Sequence, residues 1–364
     1  MVLRKLIQFL ENKFPLGLQE DYDNSGLQLG DVNQEISGVL IALDCTEDII
    51  DEALEKKCNV ILVHHPLLFK GIKRIGTSTS TERIIRKCIQ NDLNVYAIHT
   101  NLDNHIDGVN AKIAEKIGLQ VREILLPKVG LLFKLSIYIP TENVELFHES
   151  MCETGVGSIG NYIDCSFQTR GIGTFTPTGS ANPTIGSLGE VTKQEETRID
   201  YLIEKNQVEK ALNTMRLAHP YEEVAHDLIP LSNVHGLRGS GMIGMLDAPK
   251  PGKTLLEELK AVFNCGTIKY TAEVRENVQK IAFCGGSGSF LLERAIQLGA
   301  DVFISADFKY HDYFRAEGKI QIIDIGHFES EQFTCELLAE IIQEIIPTFA
   351  VHLTENNTNP VNYI

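Results

Sequence analysis

No stretch of this chain approaches the roughly 18 consecutive apolar residues of a membrane-spanning helix, so none is expected. A secretory signal is not expected either. The opening segment MVLRKLIQFLENKF interleaves Arg4, Lys5, Glu11 and Lys13 with apolar residues at helical spacing, which predicts an amphipathic first helix. There is no CxxC pair. The eight cysteines are scattered from Cys45 to Cys335, and Cys58, Cys88 and Cys284 lie among apolar neighbours. They read as reduced core residues, which points to a cytoplasmic compartment. Positive charge is in short supply, with 33 Lys and Arg against 49 Asp and Glu and a formal net charge of −16. Such a field repels phosphate backbones, so neither nucleic acid nor an anionic membrane is an expected partner. A small anionic ligand stays open, because a bound metal inverts the field locally.

At 364 residues the chain exceeds one ordinary domain, and two or three are expected. Its 43% hydrophobic and 23% charged residues are normal for a globular protein. The first hundred residues alternate strand and helix. VLIALD (39–44), NVILVHH (59–65) and NVYAIHT (94–100) read as buried strands, and Thr46 caps an intervening helix. The last third repeats the scheme with KIAFC (280–284), DVFISAD (301–307) and KIQIIDIG (319–326), followed by a helix over 329–345. Gly299 ends the helix before DVFISAD, at a position that wants a left-handed residue. The two stretches align almost without gaps, with Ala53 on Ala295, Val60 on Val302 and His65 on Asp307. Their third strands end in His99-x-x-x-Asp103 and His327-x-x-x-Glu331. An internal duplication is therefore expected.

The intervening segment reads β-α-β-β-α-β, the order of a ferredoxin-like α+β unit, with Asn206 capping its second helix. The glycine-dense GLRGSGMIGM (236–245) marks the return to the main domain. The expected layout is an α/β core with a duplicated βα sheet at 1–133 and 233–364, and the insert at 134–232.

Polar residues collect at the carboxyl ends of the predicted strands, where open α/β sheets bind ligands. They are Asp44, His64-His65, His99 to Asp103, Asp307 to His311, and His327 to Glu331. Adjacent residues leaving a strand diverge, and Pro66 keeps His65 extended, so His64 and His65 can face two ions. Alone, the pair reads better as one core and one surface histidine. Asp103 adds an oxygen donor, although alone it is a helix cap. His327 and Glu331 share one helix face, although alone they are a solvated first turn. Together, His64, His65, Asp103, His327 and Glu331 suffice for two open-sided divalent metal ions sharing one carboxylate. Such nitrogen and oxygen ligands accept zinc, iron, manganese or nickel. The absence of cysteine from the set argues against a closed structural zinc site.

His99 and His311 are candidate catalytic proton carriers, with Lys309 and Asp312 beside the second. Asp23 and Asn24 can orient a substrate, and capping or surface roles explain them equally well. GGSGS (285–289) offers backbone amides to a phosphate or is a plain strand-to-helix turn. His219, Tyr221 and Glu222 form a further polar cluster, which charge and turn chemistry explain.

The stretches DNSGLQLG, VHHPLLF, HTNLDNHIDGVN, GGSGS, ISADFKYHD and DIGHFESE, in this order, resemble the GTP cyclohydrolase I type 2 homologues, also called Nif-three-like dinuclear-metal proteins. The middle segment, with PTGSANPTIG and HPYEEVAHDL, resembles the PII/CutA-like insert of the longer bacterial members. The resemblance implies a toroidal homohexamer. It makes His64, His65, Asp103, His327 and Glu331 the metal ligands, Glu331 bridging, with His99 outside the ligand set. Two functions stay open: a metal-dependent hydrolase of a small nucleotide-like or heterocyclic substrate, or a metal-binding regulator that senses a ligand through the insert.

Overall fold

Short apolar runs too brief for helices set the architecture. The computed structural model describes residues 1–271, 274–345 and 349–364. Strands β1 (Gly26–Leu29), β2 (Val39–Ala42), β3 (Val60–Val63), β4 (Asn94–Ala97) and β5 (Val121–Pro127) come first. Then follow β6 (Leu132–Pro140), β7 (Ser166–Phe175), β8 (Thr192–Glu204) and β9 (His226–Pro230). The remainder are β10 (Gly239–Lys250), β11 (Lys269–Tyr270), β12 (Val278–Ser287), β13 (Val302–Ala306), β14 (Gln321–Asp324) and β15 (Val351–Leu353). The chain divides into two units, one of Met1–Pro127 with Gly236–Ile364, the other of Lys128–His235.

The first unit holds two sheets, ordered β1-β4-β3-β2-β15 and β11-β14-β13-β12-β10-β5. In each, three sequential strands run parallel (β2, β3, β4 and β12, β13, β14), and the third carries an antiparallel edge strand, β1 or β11. Strands β2, β3, β4, β13 and β14 are buried at every position, as a parallel sheet covered on both faces requires. One apolar cluster joins Ile41, Leu62 and Tyr96 of one sheet to Ile281, Phe283 and Ile304 of the other, with Ile113 and Leu338 from helices. The outer faces have their own helix layers, in which Ala53 and Ala295 are both fully buried. The carboxyl ends of the parallel strands therefore deliver residues from both sheets to one place.

The second unit is a four-stranded antiparallel sheet, β7-β8-β6-β9, with helices Val144–Cys152 and Val208–Ala218. Its element order β-α-β-β-α-β and strand order are those of a ferredoxin-like unit. Leu135, Ile137, Phe147, Tyr201 and Met215 belong to its separate core.

Several local expectations are corrected. Asn206 is not the cap of the second insert helix. Strand β8 runs to Glu204, and Glu204 and Gln207 form a reciprocal capping box around the turn Lys205–Gln207. The helix expected over 329–345 is two helices, His327–Glu331 and Thr334–Ile345. Gln332 and Phe333 separate them, and the Gln332 side-chain amide donates to Glu329 O and Phe263 O at 2.9 and 2.7 Å. The first unit resumes at Gly236, where GLRGSGMIGM begins, and that stretch is largely strand β10, paired between β5 and β12. Gly299 takes φ +68° as read. All eight cysteines are free. No helix of the described residues is long and apolar enough to cross a membrane.

Candidate metal centre

His64 follows β3 and is fully buried. Its Nδ1–H donates to Ile98 O at 2.8 Å, which keeps the proton there and leaves Nε2 with a lone pair. His65 donates Nδ1–H to Asp44 at 2.8 Å, His327 to Asp307 at 2.6 Å and His99 to Asp23 at 2.8 Å. Each of these carboxylates comes from another strand end or loop, and each turns one imidazole so that Nε2 is free. Carboxylate–histidine pairs of this kind orient metal ligands.

The freed nitrogens converge. Glu331, buried at the end of the helix His327–Glu331, places Oε2 at 3.0 Å from His65 Nε2 and 3.1 Å from His327 Nε2. Its Oε1 lies 3.9 Å from His64 Nε2, which is 3.6 Å from Asp103 Oδ1. One carboxylate thus faces two groups of donors, His65 with His327 and His64 with Asp103. The ring of His99 packs at 5.2 and 5.4 Å from those of His64 and His65. Ligand atoms of His64, His65 and His99 lie within 4.8 Å of one another, as do those of His65, His327 and Glu331.

His64 Nε2, His65 Nε2, Asp103 Oδ1 and Glu331 Oε2 are buried and have no hydrogen-bond partner. The short His65–Glu331 separation lacks hydrogen-bond geometry. Leaving four such atoms unsatisfied costs about 1–3 kcal/mol each, which a bound cation offsets. Electrostatics points the same way. Burial opposes charge on His65, but Asp44 and Glu331 outweigh it and lift its pKa to about 10. Burial likewise opposes charge on His327, and Asp307 and Glu331 lift it to about 11. Glu331, despite its own burial, is held well below the usual carboxylate range by the surrounding imidazoles. The pocket demands positive charge, which a divalent ion would supply in place of protons. The residues present therefore fit a metal site.

Two cavities open on this cluster, of about 400 and 420 Å³. The first is floored by His99, Asp103 and Glu331 and rimmed by Tyr22, Phe69 and Phe290. The second is lined by Asp44, Asp307, Asn359 and Tyr363. His65 and His327 line both and form the wall between them. A larger cavity, about 760 Å³ against Tyr270 and Phe314, includes none of His64, His65, Asp103, His327 and Glu331.

Other candidates fall elsewhere. His311 sits on the exposed turn Tyr310–Ala316 against Tyr310 and Phe314, lines neither cavity, and is not brought together with the cluster. The Lys309 amide is held by Asp312. Asp23 holds His99 and the backbone of Thr100, so its hydrogen bonds go to protein. His219 is a structural residue of the second unit, bonded to Tyr138 O and to the Tyr221 amide. In GGSGS the amide of Gly285 already donates to Asn110 and that of Gly286 to Ser330, which leaves neither for a phosphate. The motif serves another need. Gly286 has φ +60°, and a Cβ there would run into the Glu331 carboxylate. Gly286→Ala is expected to displace Glu331 and weaken metal binding by about 10-fold or more, measured by chelator competition.

The sequence reading missed Asp44 and Asp307 as holders of His65 and His327. Both lie at strand ends, and Asp307 has the positive φ of +58° that marks a constrained position.

The family model for Duf34/NIF3 (NGG1p interacting factor 3) matches residues 1–360. A Staphylococcus epidermidis protein named GTP cyclohydrolase 1 type 2 homolog is 36% identical over 368 residues, covering all of both chains. The crystal structure of a Bacillus cereus protein related to NIF3 superposes with a TM-score of 0.85 at 33% identity, covering 100% of this chain and 99% of that one. A Staphylococcus aureus structure gives a TM-score of 0.80 at 31% identity, over 100% and 99% of the two chains. A continuous match across both units, on a shared fold, means that the chain belongs to the Duf34/NIF3 family.

Proposed function

We propose that the chain holds two divalent metal ions, one on His64 and Asp103 and one on His65 and His327, with Glu331 shared, and that it hydrolyses a small nucleotide-like or heterocyclic substrate. The observation that carries the reading is the set of four buried, unpartnered donor atoms, one on the Glu331 carboxylate and three around it. When bound, ions held this way supply Lewis acidity. The chain's own residues supply the rest. His99, fixed through Nδ1 by Asp23, turns its other nitrogen to the cavity and can carry a proton there. Tyr22 and Phe69 stack with centroids 6.4 Å apart and planes 17° apart, yet are 66% and 46% exposed. Phe290 at the same rim is 59% exposed. Three aromatic rings partly open to solvent at the mouth of the cavity that holds His99, Asp103 and Glu331 suit a planar ring. The name of the staphylococcal relative, a GTP cyclohydrolase homologue, is in keeping with such a substrate. The proposal extends to assembly as a homohexameric ring, which light scattering checks.

The test is elemental analysis of purified protein, followed by hydrolysis assays on nucleotides, on other heterocycles and on phosphoesters without a ring. About two ions per chain are expected, with turnover of a ring-bearing substrate that a chelator stops. Failure to bind ions under any loading condition, or turnover unaffected by the chelator, overturns the proposal.

A second reading is a metal-binding regulator in which the second unit acts as a PII/CutA-like sensor. Its support is that unit's separate core and ferredoxin-like strand order. It predicts that metal removal changes assembly while no substrate class is turned over.

A further inference from the structure

The segment after β15 runs along the ligand-bearing strand ends and ties them together. β15 itself pairs in parallel with β2. The Thr354 hydroxyl, the Glu355 amide and the Asn356 side chain then hold the buried carboxylate of Glu52. Asn359 Nδ2 reaches Glu329 Oε1 at 3.3 Å, on the helix that carries His327 and Glu331. Between these anchors the Thr358 hydroxyl donates to Asp44 Oδ2 at 2.7 Å. The other oxygen of Asp44 is the one that accepts from His65 Nδ1.

We infer that Thr358 is a positioning residue of the metal centre, acting through Asp44 on His65. The inference rests on the metal-binding reading proposed above. Asp44 is 37% exposed at its side chain, and its two carboxylate oxygens are bonded one to His65 and one to Thr358. Held at one oxygen only, it can swing and let the His65 ring follow. Held at both, it fixes the plane of the ring and keeps the proton on Nδ1, so that the Nε2 lone pair points at Glu331 Oε2. The chain thus spends a residue 314 positions away from Asp44 to aim one ligand.

The experiment is a titration of metal-free protein with Zn²⁺ against a chromophoric chelator, alongside the visible spectrum of the Co²⁺-loaded form. Thr358→Val keeps the shape and removes the hydroxyl, and it is expected to weaken one ion by about 10-fold and change the Co²⁺ spectrum. Thr358→Ser restores the hydroxyl and should stay within about 3-fold of the parent. In an Asp44→Ala background, Thr358→Val should add nothing further. Three outcomes overturn the inference: parental binding and spectrum in Thr358→Val, Thr358→Ser as weak as Thr358→Val, or an undiminished effect in the Asp44→Ala background. A parent protein that binds no ion sinks the metal-binding reading instead, so the two failures are distinguishable.

Discussion

Replacing Glu331 with glutamine is expected to lower metal affinity by at least ~100-fold, more than the 10–100-fold typical of changes behind the ligands. Glutamine keeps the volume, so the helix His327–Glu331 and its packing should survive. What changes is the donor set. The carboxylate serves His65 and His327 with one oxygen and faces His64 with the other. An amide offers one oxygen and turns N–H donors toward the second group, where a cation is wanted. The single negative charge between the imidazoles is lost as well. A ligand at 100 times its Kd stabilises the native state by about 2.7 kcal/mol. For a unit of this size that is a rise in Tm of roughly 5–10 °C on metal addition. The parent should show the rise and Glu331→Gln should not, with metal content per chain falling in parallel. Parental metal content in the variant would leave Glu331 without the role assigned to it.

Much of this site was legible because its residues sit where buried parallel strands stop. A run such as Val60–Val63 announces its own end, and His64 and His65 follow at once. The same logic exposed Asp103 after β4 and His327 and Glu331 after β14. The alignment of Ala53 with Ala295 and Val60 with Val302 was also readable, since each pair is buried in equivalent elements of two sheets with the same parallel order. Pairings made at long range were not legible. Asp23–His99 and Thr358–Asp44 span 76 and 314 positions, and nothing local in the sequence pairs one partner with the other. ENNTNPVNYI has no periodicity at all, because its residues serve side chains elsewhere and not a regular element. Strand β10 carries no strand signal for a different reason. Gly239 and Gly241 interrupt its apolar pattern, yet each is needed where a Cβ would meet the backbone of Leu126 or Phe283 in the neighbouring strands. GGSGS left a phosphate site open beside a plain turn because Gly286 answers to the approach of Glu331, a tertiary contact with no local signature.

The metal-free protein should lose stability as pH rises from about 6.5 toward about 10. His65 and His327 have folded-state pKa values near 10 and 11, well above the ordinary value of about 6.5. A group raised in this way binds more protons folded than unfolded. Its contribution is complete below about pH 6.5 and drains away as pH climbs through the folded value. Glu331 is shifted the other way, so its contribution is present above about pH 4.5 and is lost in acid. For this cluster the metal-free optimum therefore lies between about 4.5 and 6.5. Because His327 is 39% exposed, solvent screens part of the gain, and a loss of about 1 kcal/mol or more by pH 9.5 is a conservative figure. That corresponds to roughly 2–4 °C in Tm, read by calorimetry in the presence of a chelator. A chain of net charge −16 also repels itself more as pH rises. The decisive quantity is thus the difference in slope between the parent and His327→Gln, which removes one raised group and should flatten the curve. With ions bound the slope should reverse, since the metal takes the place of protons and its affinity grows as they leave. A metal-free parent as insensitive to alkali as His327→Gln would mean that the imidazoles and Glu331 do not share one field.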